Sequence, residues 1–207
     1  MINREDMLEL TRRMTPSRSC FDRIAGAYID DMGEVDESFN IHFLKLSNSD
    51  KARNLELAKA TFDTLCRTLD SHEWRYRVKE GELALTCGAQ GDDLPMELNL
   101  EVDAGRTLVL LTSHLPYVVQ EDKRLDVAVA VSAINNALVD GSFDYDVASG
   151  HTFFRMTNSF MGSTLGEEYF TYLLYCSCQT IDAYNDKLLM VAKGMISLEQ
   201  FLNSMKQ

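Results

Sequence analysis

No apolar run in the 207 residues approaches the roughly 20 that a helical membrane span requires. The opening Met1-Ile2-Asn3-Arg4-Glu5-Asp6 lacks the apolar segment of a secretion signal. A cytosolic chain is expected. Positive charge is scarce as well: twenty Lys and Arg stand against thirty-two Asp and Glu, a formal net charge of −12. That excess repels phosphate backbones and anionic lipid, so neither nucleic acid nor membrane is expected as a partner. Residues 1–71 hold ten bases against thirteen acids, and residues 72–207 hold ten against nineteen. Arg12, Arg13, Arg18 and Arg23 form the only base-rich stretch, and Glu9 and Asp22 dilute it.

The usual carriers of chemistry are missing too. Five cysteines (Cys20, Cys66, Cys87, Cys176, Cys178) are an odd number without an export signal, which argues against a disulfide framework. Cys176 and Cys178 fall in a helical pattern, where positions two apart face away from each other and cannot chelate one metal. Buried filler is the expected role for most of the five. His42, His72, His114 and His151 have no His or Cys at a ligand spacing. There is no G-x-S-x-G, G-x-x-x-x-G-K-[ST] or G-x-G-x-x-G. Gly88-Ala89-Gln90-Gly91-Asp92-Asp93 reads as a surface turn between strands, and Asp30-Asp31-Met32-Gly33-Glu34 as a hairpin turn rather than a cation loop. No metal, cofactor or catalytic residue is expected. The alternative is an enzyme or small-ligand receptor whose site gathers distant residues, such as Cys87 with His114, or Asp144 and Asp146 beside Arg155.

What the chain does have is the composition of a folded protein, with 45% apolar and 25% charged residues. Asn3 can cap a short helix expected to end near Arg13 before Pro16, and residues 21–29 and 35–43 read as a hairpin. The tetrad Ser47-Asn48-Ser49-Asp50 then offers caps for a helix with Ala52, Leu55, Ala58, Phe62, Leu65, Cys66 and Leu69 on one stripe, ending at Asp70-Ser71. Four extended segments follow, over 73–79, 82–88, 95–103 and 106–113. In the third, Met96, Leu98, Leu100 and Val102 alternate with Glu97, Asn99, Glu101 and Asp103, as in a half-buried strand. The short turns predict an antiparallel meander whose apolar face needs helical cover.

Residues 125–131 alternate Val with Ala, which suits a strand. The acid-led start at 120–124 and the stripe Leu125, Ala128, Val129, Ser132, Ile134, Asn135 and Leu138 favour a helix ended by Asp140-Gly141. Two strands, 142–148 and 152–159, come next. Thr164-Leu165-Gly166-Glu167 reads as a capping box before a helix of nearly thirty residues, with Phe170, Leu173, Leu174, Ser177, Ile181, Tyr184, Leu188 and Val191 on one stripe. A short helix starts at Ser197.

In this order, Leu115-Pro116, the middle helix, Asn135-Asn136 with Leu138, Gly141-Ser142-Phe143, Phe154-Arg155 and the long closing helix resemble the YbjN-type sensory-transduction regulators. Those proteins are similar in fold to the type III secretion chaperones. The likeness spans roughly residues 47–198, with four strands before the middle helix where the family pattern has three. Residues 1–46 are similar instead to the opening of an uncharacterised family of anaerobic Gram-positive bacteria, through Glu9–Met14, Cys20-Phe21 and Gly26–Ile29.

The expected architecture is α+β: an antiparallel meander packed with helices over 47–207, type III secretion chaperone-like, preceded by a helix and hairpin appendage over 1–46. The resemblance implies a noncatalytic bacterial protein that binds a protein or peptide partner and forms a homodimer through the 120–139 helix or a sheet edge. Independently of it, an extended peptide can add to a meander edge. Trp74 and Tyr76, on one face of the first strand, and Phe153 and Phe154, on opposite faces of the last, are the candidate anchors.

Overall fold

The structure, a computed structural model, describes residues 48–205. The helix and hairpin predicted before residue 47, and the domain division placed at Leu46–Ser49, fall on or against residues outside that range. Helix α1 (Asn48–Ser71) is followed by strands β1 (Tyr76–Val78), β2 (Ala84–Gln90), β3 (Pro95–Asp103) and β4 (Leu108–Val118). A 3₁₀ turn at Glu121–Lys123 leads into α2 (Arg124–Ala137), then β5 (Ser142–Tyr145), β6 (His151–Ser159), α3 (Glu167–Ala192) and α4 (Leu198–Ser204). The six strands form one antiparallel sheet in the order β1-β2-β3-β4-β6-β5. The fold is α+β, and four strands do precede the middle helix.

Period-two alternation sorts the sheet into two faces. Met96, Leu98, Leu100 and Val102 of β3 are buried and pair with Ala89, Cys87 and Leu85 on one side and Leu111 and Val109 on the other. This face joins one core with Phe62, Leu65 and Leu69 of α1 and Phe170, Leu173, Leu174, Ile181 and Leu188 of α3. The opposite face carries Arg77, Thr86, Glu97, Asn99, Glu101, Thr112, His114 and Arg155, with Thr86 Oγ1 donating to Asn99 Oδ1 at 2.9 Å. Strand β4 continues past the predicted Ser113 through Pro116, where the ladder with β6 slips between His114 and Val118. A proline has no N–H to give a central strand, and the irregularity accommodates it.

The helices bury the faces their periodicities suggest, with two corrections. On α1, Leu55 is exposed, while Thr61, Thr64 and Thr68 share the buried side, Thr64 and Thr68 turning their hydroxyls back to main-chain carbonyls one turn earlier. Segment 125–131 is helical, yet α2 buries Val127, Ala130, Val131 and Ile134 and leaves Leu125 and Val129 outside. Its packing against α3, α4 and β5 sets that orientation. The box predicted at Thr164–Glu167 does not form. Helix α3 begins two residues later, with Gly166 as N-cap and no side-chain cap, and Glu167 and Glu168 complement the first turn. The start at Ser197 is a true capping box with Gln200.

Candidate partner-binding surface

A sheet of this order has two edges, β1 and β5, and they are built differently. At β5, the Asp146 N–H donates to His151 O at 2.9 Å. Bonding alternates along an antiparallel pair, so Asp144 and Ser142 face β6, while Phe143 and Tyr145 turn their main-chain groups outward. Helix α2 runs along that outer side. Its Asn135 accepts from the Phe143 N–H and donates to the Phe143 carbonyl, both at 2.8 Å, which is what a neighbouring strand would do. Near the helix start, Arg124 donates to Ala148 O at 2.6 Å. Gly141, at φ +73, lets the chain enter β5 beside Phe154, where a Cβ would come within 2.3 Å of the ring.

At β1 the Lys79 N–H donates to Ala84 O at 2.9 Å. The same alternation turns Arg77 toward Thr86 and points the N–H and C=O of Tyr76 and Val78 away from the sheet. No described element lies outside them. One side-chain row of this edge is apolar: Trp74 and Tyr76 are half-buried and Val78 is 47% exposed. The Tyr76 hydroxyl donates to Asp70 at 3.1 Å, and partial desolvation together with that carboxylate pushes its pKa up to about 12. The other row is Arg75, Arg77 and Lys79, all exposed and with no acid within ion-pair distance among the described residues. This base-rich run corrects the reading that Arg12–Arg23 is the only one. Its signal, cations at period two, is lost when charge is summed over whole regions.

The four candidate anchors therefore part company. Trp74 and Tyr76 sit together at the unsealed edge. Phe153 lies on the polar face against His114, with ring centroids 5.1 Å apart. Phe154 is fully buried, edge-on to Phe143, and presents nothing to a partner, because its neighbour on the strand takes the outward position.

Of the residues considered for assembled chemistry, only Asp144 and Arg155 are seen to pair. Cys87 lies on the helix-covered face and His114 on the other. Burial pushes the Cys87 thiol up to about 12 and the Cys178 thiol to about 11, which keeps both protonated at neutral pH. Arg155 Nε pairs with Asp144 at 2.7 Å, while Asp146 accepts from the Ser149 hydroxyl and the Ala148 N–H and so organises the β5–β6 turn. The predicted Gly88–Asp93 turn shortens to residues 91–94 and is tied to α3, with the Asp92 N–H donating to Asp182 at 2.9 Å. A shallow depression between α1 and α3 holds His72, Glu167 and Thr171, but His72 faces Thr171 at 3.2 Å and Glu167 pairs with Arg67 at 3.6 Å. Among the described residues there is no group of three potential metal ligands and no helix long and apolar enough to cross a membrane.

Comparison with known proteins gives a family and two structural likenesses. Residues 61–190, well over half of the chain, match YbjN, described as "Putative bacterial sensory transduction regulator". The crystal structure of YbjN from E. coli, whose description is "a putative transcription regulator", is 18% identical, covering 59% of this chain and 86% of that one with a TM-score of 0.45. The HopA1-SchA chaperone-effector complex contains a chain 20% identical, covering 69% of this chain and 94% of that one with a TM-score of 0.37. No curated protein matches. The family match runs from Thr61 in α1 to Met190 in α3 and so takes in the whole described sheet, its β1 edge and the Asn135 clamp. The chain belongs to the YbjN family.

Proposed function

We propose that this protein is a noncatalytic binding module, a regulator or chaperone-like protein that acts in the bacterial cytoplasm by holding an extended segment of a protein partner along β1. The observation that carries the reading is the β1 edge, which no described element covers. The outward N–H and C=O of Tyr76 and Val78 are ready to pair with an added strand, beside the half-buried rings of Trp74 and Tyr76. Main-chain pairing supplies affinity there, and the flanking side chains supply selection. A photo-crosslinking residue in place of Val78 should trap a partner in cells, and the same residue in place of Tyr145 should not. Equal capture at both positions, or capture at 145 alone, would remove the edge from the account.

We also infer a homodimer, formed through the outer side of α2. Leu125 is 76% exposed and Val129 45%, one turn apart on that helix. A β1-to-β1 dimer is disfavoured, since antiparallel pairing about Arg77 sets Arg77 opposite its copy and Arg75 opposite Lys79. The clamp on β5 disfavours the other edge. Sedimentation of the full chain and of Leu125→Glu tests this: a dimer should become a monomer. A wild-type monomer at high concentration would end the idea.

The chain is further proposed to divide into a 1–46 appendage and a 47–207 binding domain.

A further inference from the structure

We infer that the segment received at β1 alternates acidic with apolar residues. This rests on the reading of β1 as the docking edge and adds the chemistry of the occupant. An incoming antiparallel strand places its successive side chains on opposite faces of the sheet, in register with those of β1. On one face it meets Trp74, Tyr76 and Val78, which offer apolar surface only partly covered by α1 and the rest of the core. On the other it meets Arg75, Arg77 and Lys79 at successive same-face positions, roughly 7 Å apart along the strand. These three are exposed and have no ion-pair partner among the described residues, in a molecule of net charge −12. Cross-strand, Arg77 faces Thr86 and Lys79 faces Ala84, neither of which can neutralise it.

Cations on an edge strand also serve to prevent edge-to-edge pairing. Here they do so against a second copy of the chain, because β1 against β1 aligns like charges. The same feature becomes attractive when the incoming strand carries carboxylates at every second position, so one row of side chains rejects self-association and selects the partner. A neutral or basic strand would gain the main-chain bonds without the charge pairs, and a polyanion without an alternating apolar face would leave Trp74, Tyr76 and Val78 uncovered.

The test uses the full chain and blocked, fluorescein-labelled peptides of about ten residues, long enough to span β1, alternating valine with glutamate, glutamine or lysine. Binding is read by anisotropy, and the amide exchange of Tyr76 and Val78 by NMR. The glutamate peptide should bind and slow exchange at both amides. Its affinity should fall about tenfold or more in a variant carrying Arg75→Glu, Arg77→Glu and Lys79→Glu together. It should fall severalfold between about 50 and about 300 mM salt, and be lost when the peptide is N-methylated at alternate residues. Equal binding of all three peptides with protection at Val78 would keep the docking edge and overturn the acidic preference. Absence of protection by every peptide would overturn both. Retention of binding by the N-methylated peptide or by the triple variant would show attraction elsewhere on the surface and sink the inference. The unaltered Tm of the triple variant serves as the folding control.

Discussion

The two edges of the sheet present the same main-chain groups and treat them in opposite ways. At β5 a helix lies alongside and one amide side chain satisfies both outward groups of Phe143. At β1 the strand is only three residues long, and Tyr76 and Val78 face outward beside cations with no ion-pair partner among the described residues. A sheet that had only to remain soluble could blunt both edges in one manner. The difference shows that closure of an edge is available to this fold and that, among the described residues, it is applied at β5 and not at β1.

The contrast can be broken most forcefully from the sealed side. Phe154→Ala removes the ring against which Gly141 and Phe143 pack and should cost about 3–5 kcal/mol in urea unfolding. Phe153→Ala, one residue earlier on the other face, should cost far less. If the two cost the same, the division of faces is wrong. Asn135→Ala withdraws both partners of Phe143 and should cost about 2–4 kcal/mol. Light scattering should also show concentration-dependent association through the bared β5. Retention of stability would mean that the clamp is incidental.

Acid separates the two sides more gently. Bonds from the Ser149 hydroxyl and then the Ala148 N–H hold the Asp146 carboxyl below its ordinary range. Burial pushes the Asp103 carboxyl up, but the Arg106 N–H and guanidinium outweigh it and hold it low, with Arg106 Nε at 2.5 Å. Carboxyls lowered in this way stabilise the fold fully above about pH 4, their ordinary unfolded range. That contribution fades as pH falls through their lower folded values. The β1–β2 turn closes on the main chain, Glu82 N–H to Lys79 O at 3.2 Å. Amide protection, taken relative to the intrinsic exchange rate at each pH, should therefore be lost on acidification in the β3–β4 and β5–β6 turns before the β1–β2 turn, and the reverse order would contradict this assignment. Smallest of all, Arg77→Glu should alter stability by no more than about 0.5 kcal/mol, because its side chain is exposed and has no hydrogen-bond or ion-pair partner among the described residues. A larger loss in thermal unfolding would give β1 a structural role in place of a receptive one.

Much of this was legible before any coordinates, wherever the periodicity was strong. Met96 to Val102 declared its buried side through strict alternation, and Phe170 to Val191 declared a helix through a stripe that the structure buries almost residue for residue. Helix α2 shows where such reading stops. Its alternating Val and Ala present apolar side chains all round, so the sequence pattern supports the helix but cannot choose between Leu125 with Val129 and Val127 with Val131; contacts with three other elements make that choice. The clamp was invisible for a different reason. Asn135 reads as a polar residue near a helix end, and nothing in the chain announces that its amide will meet the backbone of Phe143. The edge cations were in plain view as Arg75-x-Arg77-x-Lys79, but their meaning depends on β1 being outermost, which is a property of strand order and not of local sequence.

Asn135 and Phe143 are only eight positions apart in the chain, and that spacing places the clamp in time. Asn135 leaves the ribosome before the strand it protects, and chain segments of this length meet within about 10–100 ns. Contacts so local form early, as does the β1–β2 hairpin, whereas those that bring β4 beside β6, or α1 onto the sheet, close longer loops. The β5 edge therefore has a guardian at hand from the moment of its birth.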